Sequence, residues 1–155
     1  MRCQVKALAA AQAAAIIAAL VLGLAAAPAH ASCAVVGDSI ADGVSPSIEE
    51  CLSDAKGGIP SADVVARVHS ADILFVSAGS NDPNNPRLED NLKAIRAKAS
   101  GRVVWISPMN RTAALAVERV AALHGDPVVH FEPGPDGIHP KSYDDLATAL
   151  RKFLK

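Results

Sequence analysis

The chain has 155 residues, with 15 Lys and Arg against 16 Asp and Glu, for a formal charge of −1. No basic run or patch breaks that balance, which argues against a nucleic-acid partner held through phosphates. The length allows one domain with a substantial core.

Residues 1–31 read as a targeting segment. Arg2 and Lys6 supply a positive start, and Ala7 to Ala27 is almost wholly apolar. Pro28-Ala29-His30-Ala31 then puts small residues at both key positions of a cleavage site. The rival reading is a retained anchor, because the run is long enough to span a bilayer. Lipidation of Cys33 is disfavoured by His30, three positions earlier, where a branched apolar residue is required. Cleavage leaves residues 32–155 with a charge of −3, as an exported domain, periplasmic or secreted, with no stable membrane insertion. The apolar leader inflates the hydrophobic fraction, which is therefore no sign of a membrane protein.

Strand and helix patterns alternate along the rest of the chain. Cys33-Ala34-Val35-Val36 reads as a first buried strand. A short helix is expected over Ser45 to Asp54, with Ser45 as N-cap and Pro46 at the first helical position. Lys56 to Pro60 is a turn, and Ser61 caps a helix over Ala62 to Val68. Asp72 to Ala78 has the continuous apolar character of a parallel strand. Gly79 to Pro86 is a loop, given its two prolines. Arg87 to Ala99 is an amphipathic helix and Val103 to Ile106 a strand; Thr112 to His124 is a helix stopped by Gly125. Pro127 to Phe131 is the last strand, and a Pro/Gly-rich loop, Glu132 to Pro140, leads into a helix over Ser142 to Leu154.

Strands separated by single helices predict a parallel sheet with helices on both faces. Sites in such sheets lie beyond the carboxyl ends of the strands. Ser39 follows the first strand, Ser80-Asn81-Asp82 follows a central one, and Asp136 and His139 follow the last. The three clusters should converge at one edge.

Their chemistry is complementary. Gly37-Asp38-Ser39-Ile40 presents a hydroxyl on a turn between strand and helix, where backbone N–H groups face developing negative charge. Asp136-Gly137-Ile138-His139 can supply a base and the carboxylate that orients it from one loop. Asn81 offers a side-chain amide to an oxyanion, and Gly58 a backbone N–H. Asp38 reads as holding its own turn and Asp82 as supporting the Asn81 loop. Trp105 reads as core. His69, His124 and His130 read as capping or core residues, because no metal spacing links them. Cys33 and Cys51 are an even pair in an exported chain and are expected to form a disulfide between the first strand and the end of the first helix. Two buried free thiols are the alternative.

Gly37-Asp38-Ser39, Gly58, Gly79-Ser80-Asn81-Asp82 and Asp136-Gly137-Ile138-His139-Pro140, in that order, resemble the four blocks of the SGNH (GDSL-type) hydrolase superfamily over nearly all of residues 32–155. The resemblance implies a flavodoxin-like three-layer α/β/α sandwich with a parallel sheet of four or five strands. It implies Ser39 as nucleophile, His139 as general base and Asp136 as its partner. Ser39 N–H, Gly58 N–H and the Asn81 side chain would form the oxyanion hole, without metal or cofactor. Three departures stand out. Ile40 replaces the common leucine. The segment from Ser39 to Gly58 is short, so the second strand is expected to be reduced or missing. Gly57 is an alternative to its neighbour Gly58. The expected activity is an exported ester hydrolase acting on small acyl groups, such as acetyl on a glycan. The alternatives are a lysophospholipase or thioesterase for longer chains, and a non-catalytic binding module on the same fold.

Overall fold

The computed structural model describes residues 31–155. The targeting segment expected over residues 1–31 thus lies, but for its last residue, outside the described residues. Five strands form one sheet in the order β2-β1-β3-β4-β5. They are β1 (Ala31–Gly37), β2 (Leu52–Ala55), β3 (Ala71–Ser77), β4 (Arg102–Ile106) and β5 (Val128–Val129), and every neighbouring pair is parallel. The helices are α1 (Ser39–Val44), α2 (Ser61–Arg67), α3 (Leu88–Lys98), α4 (Arg111–His124) and α5 (Tyr143–Arg151).

The strands bury both faces, and their two-residue alternation divides the core. Ala34, Val36, Leu74, Val76, Val103 and Trp105 pack with α2, α3 and α4. Cys33, Val35, Phe75, Val104, Ile106 and Val129 pack with α1 and α5 on the other side. The result is a flavodoxin-like three-layer α/β/α sandwich, as the sequence led us to expect. Trp105 is fully buried, and its indole N–H donates to Asp126 at 3.3 Å, so its place in the core is as read.

The strand order reverses at β1, where the chain runs outward to β2 and returns to β3 on the other side. The crevice beyond the carboxyl ends of β1 and β3 is therefore the topological switch point. The loops carrying Ser39 and Asn81 both leave from it.

The region between Ser39 and Gly58 differs from expectation. No helix runs over Ser45 to Asp54. Instead α1 starts at Ser39 itself, because the Asp38 side chain caps it by accepting from Ile40 N–H at 3.2 Å. The Ser45-Pro46 pair opens a single 3₁₀ turn, Ser45–Ser47. The second strand is present, since Leu52–Ala55 pairs with Ala34–Gly37 of β1. Cys51 therefore precedes a strand rather than ending a helix. It is bonded to Cys33 on β1 across a separation of 18 residues. Ser61 opens α2 rather than capping it from outside; Pro60 takes that position, and the Ser61 hydroxyl is turned to Asp82. The last strand is only Val128–Val129, because it is an edge strand and its continuation leaves the sheet for the loop that carries His139. No helix among the described residues is long and apolar enough to cross a membrane.

Candidate active site

Gly37 ends β1 with φ +148°, and a Cβ there would lie 2.0 Å from the Ser77 carbonyl oxygen. Only glycine lets β3 come this close. The next residue, Asp38, is fully buried. One carboxylate oxygen accepts from Ile40 N–H and from the Ser77 hydroxyl (2.7 Å), and the other accepts from Ser80 N–H (3.2 Å). Asp38 therefore ties the first turn of α1 to the end of β3 and to the loop after it. Asp38 holds its own turn and two further segments as well. Ser39 stands at the first position of α1, directly after the carboxylate that holds Ser80 N–H.

The loop after β5 brings Asp136 and His139. Its neck is closed by an antiparallel bridge between Pro133 and Pro140, with Lys141 N–H donating to the Glu132 carbonyl at 2.8 Å and Gly134 N–H to the His139 carbonyl at 2.7 Å. Within it, one Asp136 oxygen accepts from the N–H groups of Ile138 (2.9 Å) and His139 (3.0 Å), while the other lies 2.6 Å from His139 Nδ1. His139 Nε2 lies 3.0 Å from Ser39 Oγ. Ser39, His139 and Asp136 are thus in one hydrogen-bonded line.

The hydrogen bond from His139, reinforced by the two backbone N–H bonds, holds the Asp136 carboxyl well below the usual carboxylate range. An ionised carboxylate only accepts. Nδ1 must then carry the proton, and Nε2 is left to accept from the Ser39 hydroxyl. The His139 side chain is 38% and that of Asp136 50% exposed, so the pair is open to water.

The expected oxyanion donors come from the start of α1 and from the loops after β2 and β3. The N–H groups of Ser39 and Gly58 make no hydrogen bond among the described residues. Asn81 spends one of its two amide hydrogens on the Ile59 carbonyl, at 3.0 Å. That bond joins the loop after β3 to the residue after Gly58. Gly58 has φ +78°, and a Cβ added there would meet no protein atom within 4 Å. Glycine is favoured here by the left-handed backbone, not by crowding. The neighbouring glycine, Gly57, is already engaged, since its N–H donates to Asp42 at 3.2 Å.

Asp82 supports its loop as read. It accepts from Ser61 N–H (3.0 Å), the Ser61 hydroxyl (2.6 Å) and Asn85 (2.8 Å). Two residues that the motifs did not single out also shape the site. Tyr143 covers α1 at Gly43, where a Cβ would fall 2.3 Å from the ring. Burial and the nearby carboxylates Asp136, Asp38 and Asp42 push its phenol pKa up. Asp42 holds the Gly57 turn. Beside His139, Ser80, Pro83, Met109, Asn110 and Ile138 line a mainly apolar hollow of about 200 Å³. His69, His124 and His130 stay apart, and no metal-binding cluster occurs among the described residues.

Comparisons with known proteins bear on the fold. No family model and no curated protein matches the chain. Among solved structures, the chain is similar to the C-terminal catalytic domain of Streptococcus pneumoniae peptidoglycan O-acetyltransferase A, solved with a methylsulfonyl adduct. The TM-score is 0.53 at 13% identity, over 79% of this chain and 94% of that domain.

Proposed function

We propose that the protein is an exported serine ester hydrolase of the SGNH type that works through an acyl-enzyme on Ser39. The observation that carries this reading is the line of contacts Ser39 Oγ–His139 Nε2 (3.0 Å) and His139 Nδ1–Asp136 (2.6 Å). It links Ser39, at the start of α1, to the His139–Asp136 pair of a distant loop in the order that nucleophilic acyl transfer needs.

In the first half-reaction, Ser39 Oγ attacks the ester carbonyl carbon and its proton passes to His139 Nε2. The carbonyl oxygen becomes an oxyanion facing Ser39 N–H, Gly58 N–H and the free amide hydrogen of Asn81. Asp136 stabilises the imidazolium and remains ionised. Collapse breaks the bond to the alcohol oxygen, which leaves with the proton from His139. In the second half-reaction, His139 takes a proton from water, the hydroxide attacks the acyl carbon, and the carboxylic acid leaves as the proton returns to Ser39 Oγ.

The acyl-enzyme can pass its group to water or to another hydroxyl. The solved structure similar in fold is named for an O-acetyltransferase. Exposure of the His139–Asp136 pair favours water as acceptor here. The same likeness supports an acetyl group carried on a glycan as substrate. A glycan or small-molecule ester is thus the proposed partner, and the proposed location is outside the inner membrane, where the Cys33–Cys51 disulfide is stable. A second reading, hydrolysis of longer acyl chains, draws on the hollow beside His139 with Pro83, Met109 and Ile138 on its walls.

Hydrolysis of p-nitrophenyl acetate, butyrate and octanoate by wild type and by Ser39→Ala tests the proposal. Turnover of the acetate above the longer esters, lost in Ser39→Ala, is expected. A preference for octanoate would shift the reading to the second, and equal rates in the variant would end both.

A further inference from the structure

We infer that Asp42, which lies outside the Ser39–His139–Asp136 line, is the positioning residue of the oxyanion arm. The inference rests on the proposed role of Ser39. The turn that carries Gly58 has three tethers. Lys56 N–H donates to the Gly37 carbonyl at 2.9 Å, which fixes its start to the end of β1. Asn81 donates to the Ile59 carbonyl at 3.0 Å, which fixes its far side to the loop after β3. Between them, Asp42 accepts Gly57 N–H at 3.2 Å. Only this middle tether comes from the helix that bears the nucleophile.

Its geometry accounts for which N–H is left over. A Cβ built on Gly57 would lie 3.5 Å from the Asp42 carboxylate oxygen and 3.9 Å from Ser39 Cβ, so the turn rests against the nucleophile. Gly57 N–H is consumed by Asp42 and is no donor to an oxyanion. Gly58 N–H, one residue on, makes no hydrogen bond among the described residues. By taking one N–H, Asp42 aims the next. A carboxylate three residues after a nucleophile works against a nearby oxyanion by simple Coulomb repulsion. A surface residue chosen only for solubility would not be expected there; a tether of the turn explains it.

Asp42 is exposed, so its replacement leaves the core untouched. The test compares Asp42→Ala and Asp42→Asn, alone and with Asn81→Ala, on p-nitrophenyl acetate. It also follows the rate at which a fluorophosphonate labels Ser39. Asp42→Ala should lower kcat about 10- to 100-fold with KM nearly unchanged, less than outright loss of an oxyanion donor because the N–H is displaced and not deleted. Labelling should slow in parallel. Asp42→Asn keeps an acceptor oxygen and should stay within about threefold of wild type. In the Asn81→Ala background the cost of Asp42→Ala should shrink, because both act on one oxyanion. Wild-type kcat in Asp42→Ala overturns the inference, as does an equal loss in Asp42→Asn or an undiminished cost beside Asn81→Ala. Should Asp42→Ala not fold, Asp42→Ser, which is too short to span the same bond, gives the same reading. If Ser39 of the wild type does not react with the fluorophosphonate, the functional proposal fails instead; if it reacts and Asp42→Ala is unimpaired, only the role of Asp42 does.

Discussion

Asp38→Asn changes one oxygen to an amide nitrogen at the best-connected buried polar group of the site. The carboxylate receives three donors: Ile40 N–H, the Ser77 hydroxyl and Ser80 N–H. Asparagine can keep its oxygen where two of them converge, but its amino group then faces Ser80 N–H, donor against donor. A hydrogen bond to a charged group contributes about 1.5–3 kcal/mol, and the two retained bonds fall to the strength of neutral ones. The easier burial of an amide offsets part of that loss. The net cost is about 2–3 kcal/mol, which for a domain of this size lowers Tm by roughly 10 °C. Urea unfolding can be followed through Trp105, the single tryptophan, which is fully buried. Activity should fall with stability, because Ser80 N–H precedes Asn81. A variant within about 1 kcal/mol of wild type and fully active would refute the assignment of Asp38 as the clasp between α1 and the loop after β3.

Three further outcomes follow from the same contacts. Reduction of Cys33–Cys51, which closes a separation of 18 residues, should cost roughly 3 kcal/mol in the chain-entropy picture; an unchanged urea midpoint in dithiothreitol would contradict this. The depressed pKa of Asp136 has a definite sign. Its folded-state pKa lies below its unfolded value, so its contribution to stability is present above the unfolded pKa and is lost as pH falls through the folded one. The ¹³C carboxyl resonance of Asp136 should therefore show no protonation at about pH 4, near the ordinary aspartate value, and a midpoint there would refute the bond network. Gly43→Ala puts a methyl group 2.3 Å from the Tyr143 ring. The ring must give way, and it stands at the start of α5, near Asp136 of the His139 loop. Such a misplacement can cost up to about 100-fold in kcat, and kinetics equal to wild type would show that the ring does not fix that loop.

Much of the candidate site's geometry was legible because its signals are local. Asp136 and His139 lie three residues apart in one loop, and Ser39 follows an apolar run with a glycine before it. The alternation of elements then placed all three at one sheet edge. The stretch from Ser45 to Ala55 was not legible, for a physical reason. Ser45 followed by Pro46 is the signature of a helix start, but it serves equally in a 3₁₀ turn. Leu52-Ser53-Asp54-Ala55 has no β-branched or aromatic residue and becomes a strand by pairing with β1. Asp54, which looked like the end of a helix, instead pairs with Arg67 at the end of α2. Asp42 was hidden for a similar reason. Its partner lies 15 residues away, and nothing in the spacing shows that α1 and the Gly57 turn meet. The Ser61–Asp82–Asn91 set likewise spans three elements.

The most direct test of the account is the mass of the intact, folded protein after reaction with a fluorophosphonate, with the adduct mapped by peptide sequencing. The account predicts a single adduct on Ser39, formed far more slowly in His139→Ala. No adduct, or one on another residue while Ser39 stays free, would contradict it.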